Sequence, residues 1–379
     1  MAFAEKLTVF VPLAAAGDRL RVRLNEVKKR IAFADILRVL EPSPVRTEPP
    51  CPYFGRCGGC DFQQMSYEAQ LETKAGIIRD CLHRIGKIDF EGEIPIVSSP
   101  KPFEYRSRAQ WHLDTRRRRA GYFKRGSHEV IDVESCPILV PELQQTLVEL
   151  RETVEWDTFL EELVTIEAAS GDGGGVSIYG EELIEPTGEI THTAFGEQYF
   201  YSARSFFQGN RFLAEKLIEM ATGGSSGERA LDLYCGVGLF SLPLARRFAE
   251  VTGVEGNDSA VELAEKNAAK AGLANVKFES AGVGVYLFES RPKNIDFVLL
   301  DPPRAGTERG VIEAIAKMKP KNISYVSCEP SILARDLRIF LDAGYRIDSI
   351  TALDLFPQTH HVETIVKLGL ESRPVIDAI

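Results

Sequence analysis

Of the seven cysteines in the 379-residue chain, three fall within ten positions in CPYFGRCGGC, residues 51–60. An odd, clustered set of this kind points to metal or catalytic chemistry rather than to paired disulfides. The spacing C-x5-C-x2-C offers three thiolates, and Gly58 and Gly59 let the backbone curl around a bound object. Four thiolates suit either tetrahedral zinc or a cubane iron–sulfur cluster. Two residues compete for the fourth place. Cys81 lies in a segment where Leu71, Ile78, Cys81, Leu82 and Ile85 recur at helical steps, which is a core pattern. Cys136, in the loop-like ESCPIL, is the better partner for Cys51, Cys57 and Cys60.

A second constellation lies in the C-terminal half. ALDLYCGVGLFSLPLARRF reads as a short hydrophobic strand, a Gly-x-Gly turn at Gly236 and Gly238, and a helix. About twenty residues on, EVTGVEGN ends a second strand at Glu255, whose carboxylate can accept from both hydroxyls of a ribose. The loop has one glycine fewer than the dinucleotide fingerprint, which favours S-adenosylmethionine over NAD.

Further strands end in Asp301-Pro302-Pro303-Arg304 and in Ser327-Cys328-Glu329-Pro330, and a last strand begins at Glu363 in HHVETIVKLGL. Arg304 stands where many amino-group methyltransferases have a base-stacking aromatic, which argues against attack by an exocyclic amine. If the last strand runs antiparallel, Glu255, Asp301, Cys328 and Glu363 converge on one rim of an open sheet. A thiolate and a carboxylate there suit methylation of a pyrimidine at carbon 5. Thiolate addition to carbon 6 makes carbon 5 an enolate terminus able to displace a methyl group from a sulfonium. A general base must then remove the hydrogen left on carbon 5. Cys328 is the expected nucleophile and Glu363 the expected base.

These residues need a scaffold, and the chain texture divides in three. Residues 1–46 alternate as strands, with TVFVPL and RLRVRL read as a hairpin turning at Gly17-Asp18, and a proline-rich linker follows. Residues 47–200 carry the cysteines, a helix and further strands. Residues 201–379 alternate strand and helix, as in a doubly wound α/β sheet.

The combination of C-x5-C-G-G-C, FFQGN, DLYCGVG, DPPR-x-G, SCEP and HHVET resembles the RNA uracil-C5 (5-methyluridine) methyltransferases, in the branch that binds a [4Fe–4S] cluster. The resemblance runs from about residue 8 to the C-terminus. It implies a Rossmann-like catalytic domain, a central α+β domain with Cys51, Cys57, Cys60 and Cys136 as cluster ligands, and a small N-terminal TRAM barrel. That barrel is expected to be incomplete, or its start trimmed, because the family's Gly-rich first strand has no counterpart. The resemblance also implies that Gln208, Tyr234, Glu255 and Asp301 hold S-adenosylmethionine and that Phe206 stacks on the target base. The chain departs from the family at Leu239, where an asparagine is usual, and at AGVGV, residues 281–285, where an acid or amide near the adenine is usual.

The formal charge of −10 argues against indiscriminate coating of nucleic acid. A local grip remains available in residues 105–126, where Arg106, Arg108, Arg116 to Arg119, Lys124 and Arg125 interleave with Tyr105, Trp111, Tyr122 and Phe123. The expected partner is structured ribosomal or transfer RNA with its uridine unpaired or flipped out. Neither a membrane nor an obligate protein partner is implied, and a monomer is expected. The run LTVFVPLAAA passes directly into alternating residues after Glu5 and Lys6, so it reads as strand rather than as a signal peptide, and the location expected is cytoplasmic. The alternatives are a cluster- or zinc-stabilised RNA-binding module whose methyltransferase fold has degenerated, and cytosine-C5 methylation by the same thiolate addition.

Overall fold

The computed structural model describes residues 2–4, 7–183 and 188–371. Its largest sheet has eight strands: β1 (Ile96–Val97), β2 (Gly227–Leu233), β3 (Phe248–Glu255), β4 (Val276–Ser280), β5 (Phe297–Leu300), β6 (Asn322–Ser327), β7 (Tyr345–Leu353) and β8 (Glu363–Leu370). They lie in the order β4-β3-β2-β5-β6-β8-β7-β1. Strands β2 to β6 are mutually parallel, so their carboxyl ends share one rim, and the buried run FVLL of β5 is what a strand covered on both faces requires. Strand β8 pairs antiparallel with both β6 and β7, which brings its first residue to that same rim.

Local chemistry sets the helices that follow these strands. Asn257 caps the helix Asp258–Lys270 by accepting from Ala260 N, and Pro330 opens the helix Pro330–Asp342, with Glu329 as its cap.

A boundary at residue 200 does not isolate this sheet. Strand β1 comes from residue 96, and Ile78, Leu82, Ile88 and Ile94 are buried in one core with Leu333, Leu337 and Phe340. The hairpin Ile190–Ala194 and Glu197–Tyr201 also packs into the core of this sheet through Tyr199 and Tyr201. The reason is apolar area: the sheet face beside β7 and the face near β3 are covered by side chains from earlier in the chain.

The central unit is a five-stranded antiparallel sheet (Arg108–Asp114, Arg119–Phe123, Val130–Asp132, Leu163–Ser170, Val176–Tyr179) with the helix Pro141–Thr153 packed over Trp111, Leu113 and Ile166.

The N-terminal strands correct the hairpin expected at Gly17-Asp18. Leu7–Phe10 pairs parallel with Ile31–Glu41, and the antiparallel partner of Ile31–Glu41 is Arg19–Lys28. Asp18 does not serve the turn alone. Its carboxylate accepts from Ala15 N (2.7 Å), Ser43 N (2.9 Å) and the Arg46 guanidinium, tying the strand start to the sheet's exit. The described strands form a four-stranded sheet in which Ala2–Ala4 and Arg19–Lys28 are the edges, and no pairing joins those edges among the described residues.

Candidate active site

The rim of the large sheet gathers the expected residues. Ser327, the last residue of β6, pairs with Thr364 of β8, so Cys328, just past β6, and Glu363, the first residue of β8, come next to each other at the end of the ladder. Glu363 is 4% exposed and its Oε1 has no hydrogen-bond partner. Burial, then the charge of Asp301, raises its carboxyl well above the usual range, against the pull of Arg304. Burial and the charge of Glu363 push the Cys328 thiol up to about 12, while the Arg304 guanidinium, exposed at the rim, draws it down by charge and hydrogen bonding. Arg304 also lies 5.9 Å from the Phe356 ring.

The glycine loop sits at the end of β2. Gly238 has φ +88°, and a Cβ there would lie 2.9 Å from Leu242 Cδ1. Gly236 is open on the side a Cβ would fill, and its N–H donates to Glu255 Oε2 at 3.1 Å. The second Glu255 oxygen accepts from Asn257 N at 2.9 Å. Tyr234 also adopts a left-handed φ of 64°, and its hydroxyl donates to Glu308 on the loop after Arg304. Leu239 is buried in the core, so this departure from the family pattern acts in packing. Residues 281–285 run into the helix Val283–Ser290, with Val285 and Phe288 more than half exposed.

Asp232, Asn267 and Glu308 were not among the residues expected from sequence. Asp232 is fully buried two residues before Tyr234, bonds to Ser241 Oγ (2.5 Å), and leaves Oδ1 without a partner. Burial and the nearby Glu255 raise it to about 7, and Asp301 is raised by burial and by Asp232. The sequence signal was an acid inside the apolar run ALDL. Asn267, also fully buried, accepts from Phe200 N (2.8 Å) and donates to Val237 O (3.0 Å), fastening the hairpin to the glycine loop. A rim with several buried carboxyls and unpartnered carboxylate oxygens is short of positive charge. That fits a ligand carrying a sulfonium and an ammonium, as S-adenosylmethionine does.

The FFQGN loop divides its two aromatics. Phe207 is buried, stacked on Tyr201 at 4.4 Å, whereas Phe206 is 67% exposed. Gln208 is buried just beyond, on a loop held by Ser107 N donating to Gly209 O at 2.8 Å.

The RNA grip expected in residues 105–126 is corrected. Tyr105 and Trp111 are core residues, at 3% and 0% exposure, and cannot stack on a base. Arg116, Arg117, Arg118 and Arg119 pair with Glu162, Asp114, Asp157 and Glu129. The Arg106 side chain lines the cysteine cavity instead of facing solvent. Arg108 donates to Ala203 O (3.0 Å) and Ser205 O and lies 5.8 Å from the Phe206 ring, so it holds that loop. The acidic neighbours contributed by distant strands were invisible in the local pattern of cations and aromatics.

Cys51, Cys57, Cys60 and Cys136 line one cavity with Gln63, Arg106 and Tyr122, while Cys81 lies apart on its helix. All four are free thiols. Cys51 N donates to Gln63 Oε1 (3.3 Å) and Cys136 N to Gln144 Oε1 (2.8 Å), which fixes the backbone at these two cysteines. Burial, then the neighbouring Cys136, raises Cys60 to about 12, and Cys57 and Cys136 are raised by burial too. Among the described residues no group of three or more His, Cys, Asp or Glu is set to hold one metal ion.

Comparison with known proteins bears on this site. A family model for tRNA (Uracil-5-)-methyltransferase matches residues 176–283 and 287–370. A 23S rRNA (uracil(1939)-C(5))-methyltransferase of Pectobacterium atrosepticum is 33% identical over 95% of this chain and 88% of its own. The chain belongs to the RNA uracil-5-methyltransferase family. An uncharacterized RNA methyltransferase of Thermosynechococcus vestitus is likewise 33% identical, over 95% of this chain and 92% of its own. The crystal structure of the Pyrococcus abyssi tRNA (uracil-54, C5)-methyltransferase with S-adenosyl-L-homocysteine superposes with a TM-score of 0.75 at 28% identity, covering 95% of each chain. The two folds therefore correspond over 95% of this chain. In this RNA uracil-5-methyltransferase no helix among the described residues is long and apolar enough to cross a membrane.

Proposed function

We propose that the protein methylates carbon 5 of a uridine in structured ribosomal or transfer RNA through a covalent adduct with Cys328. The observation that carries this reading is the register that sets Cys328 against Glu363 at the carboxyl rim. Bound S-adenosylmethionine supplies an electrophilic methyl group on a sulfonium. Gln208, Tyr234, Gly236, Gly238, Glu255 and Asp301 would hold it, with the buried carboxyls offsetting its charge. The Cys328 thiolate adds to carbon 6, and the ring's double-bond electrons pass to the carbonyl as an enolate. Carbon 5 then takes the methyl group as the bond from that methyl to sulfur breaks, leaving a neutral thioether, and the carbonyl re-forms. Glu363 accepts the remaining carbon-5 proton, the electron pair of that C–H bond becomes the carbon-5–carbon-6 double bond, and the thiolate leaves carbon 6. Arg304 lowers the proton affinity of both groups. Phe206, exposed on the loop that carries Gln208, is suited to stack on the base.

The relatives point to both RNA classes: the Pectobacterium protein is named for 23S rRNA and the Pyrococcus protein for tRNA. We assign a [4Fe–4S] cluster to Cys51, Cys57, Cys60 and Cys136 on the chemistry of the donor set. It is all sulfur, it lines one cavity, and Arg106 beside it offsets thiolate charge. Bound metal would supply the driving force to deprotonate thiols that burial otherwise keeps neutral. The N-terminal sheet we take as the counterpart of a TRAM domain, and the location as cytoplasmic.

The test uses anaerobically purified protein, labelled S-adenosylmethionine and unmodified transfer and ribosomal RNA transcripts, with nucleoside digestion and Cys328→Ala in parallel. Label in 5-methyluridine with the wild type alone is the expected result and names the RNA. Label in another nucleoside would retain the fold and overturn the mechanism.

A further inference from the structure

Lys74 is fully buried, an expensive place for an ammonium unless it is fully partnered. It lies on the helix Tyr67–Cys81, which follows the cysteine loop, and it reaches into the catalytic sheet. Its Nζ donates to Asp354, itself 0% exposed, and to Phe356 O at 3.0 Å. Asp354 directly follows Leu353, and Leu353 is the β7 residue paired with Glu363 on β8. The ion pair therefore grips the corner from which the general base emerges.

The same corner is held at further points by residues 61–105. Gln70 and Gln358 exchange two hydrogen bonds, Gln70 Nε2 to Gln358 Oε1 and Gln358 N to Gln70 Oε1, both at 3.0 Å. The Tyr105 hydroxyl donates to Pro357 O at 2.9 Å, and Asp61 N and Phe62 N both donate to Gln358 O at 3.0 Å. Gln358 is held at φ +68°, a conformation a non-glycine residue keeps only when its surroundings demand it. A buried ion pair stabilises a fold no better than packed apolar side chains do, so its distinctive contribution here is directional. One ammonium fixes a carboxylate and a carbonyl two residues apart.

We propose that Lys74, acting through Asp354 and Phe356, is a positioning residue that sets Glu363 for removal of the carbon-5 proton. This rests on the assignment of Glu363 as the base. The ion pair does not touch substrate. Its loss should slow the step that Glu363 performs and spare the addition and methyl transfer that precede it, which depend on Cys328 across the ladder.

The test compares wild type, Glu363→Gln, Lys74→Met and Lys74→Met/Asp354→Asn, each purified with its cysteine site loaded. Lys74→Met alone leaves a buried carboxylate without its counter-charge and is prone to misfold. The double variant keeps the corner neutral and serves as the decisive protein, with its melting curve and cluster absorbance recorded. Each is mixed with RNA and labelled S-adenosylmethionine, and both free methylated RNA and denaturation-resistant protein–RNA adduct are measured. For the double variant we expect turnover at least ~10-fold lower, methyl transfer in a single turnover within a few-fold of wild type, and accumulation of methylated adduct, because small misplacements of a reacting group are costly. Unchanged turnover, or turnover and single-turnover transfer falling together without adduct, would overturn the inference. Adduct from Glu363→Gln but none from the double variant would overturn it alone. No adduct from Glu363→Gln would remove the base assignment and this inference with it.

Discussion

Cys328 and Glu363 face one another at the mouth of the sheet because Ser327 and Thr364 pair in the antiparallel ladder between β6 and β8. Two groups that each gain stability from keeping a proton are set side by side, under one exposed guanidinium. Cys328→Ala should abolish 5-methyluridine formation, by at least ~10³-fold, as removal of a covalent nucleophile does. RNA retention and S-adenosylhomocysteine binding should persist. Residual turnover near wild type would place the nucleophile elsewhere.

Arg304 lowers the proton affinity of Cys328, so its removal raises that affinity and shifts the thiolate population to higher pH. In Arg304→Gln the rising limb of the kcat/KM profile should move upward, and activity at neutral pH should fall about tenfold for each unit of displacement. An unshifted limb with a uniform loss would assign Arg304 to RNA binding alone.

Asp232 and Asp301 are raised by burial and by their carboxylate neighbours, Asp232 to about 7. Near neutrality the free protein therefore keeps protons on this pair. An ammonium-bearing ligand stabilises the charged carboxylates and lowers these values, so binding should release protons and tighten as pH rises through about 7, then level off. Titrating S-adenosylhomocysteine calorimetrically in two buffers of different ionisation heat measures both effects. Affinity independent of pH, with no proton release, would contradict the assignment.

Arg106 lies among the cysteines and Phe206 lies in solvent, and the two should separate in experiment. Phe206→Ala should lower kcat/KM by roughly 5- to 150-fold, the range of one base–aromatic stack, and leave thermal stability unchanged. With the proposed cluster bound, Arg106→Met should lower its retention and the melting temperature while leaving the salt dependence of RNA binding intact. A reduced salt slope in Arg106→Met would return that residue to the RNA surface.

Asn267 joins the hairpin to the glycine loop from a fully buried position. Its replacement by alanine strands several backbone groups, a loss of about 2–4 kcal/mol. The melting temperature should fall accordingly, and cofactor affinity with it. A melting curve like that of wild type would show that water replaces the amide.

Much of the chemistry was legible in the chain because it is written in short local signals. The strand–glycine–helix segment at 230–245, the acid at the end of β3, and the strand-end residues Asp301 and Cys328 all follow from periodicity and turn chemistry, which act over a few residues. The cysteine spacing by itself marks three of the four cavity-lining thiols, and local helix periodicity separates Cys81 from Cys136. What the sequence could not decide were facts of pairing between distant segments. The direction of β8 decides whether Glu363 meets Cys328. Which carboxylates face the arginines decides whether residues 105–126 present unpaired cations to solvent, and Arg116 to Arg119 each have a carboxylate partner. The parallel pairing of Leu7–Phe10 with Ile31–Glu41 replaced a hairpin that alternation alone suggested. Lys74, an ordinary polar position on a helix by sequence, is completely buried because Asp354, 280 residues away, meets it in the core. Burial, register and ion pairing are set by what the rest of the chain brings alongside, so they belong to the tertiary structure. Residue type and local spacing are carried by the chain itself.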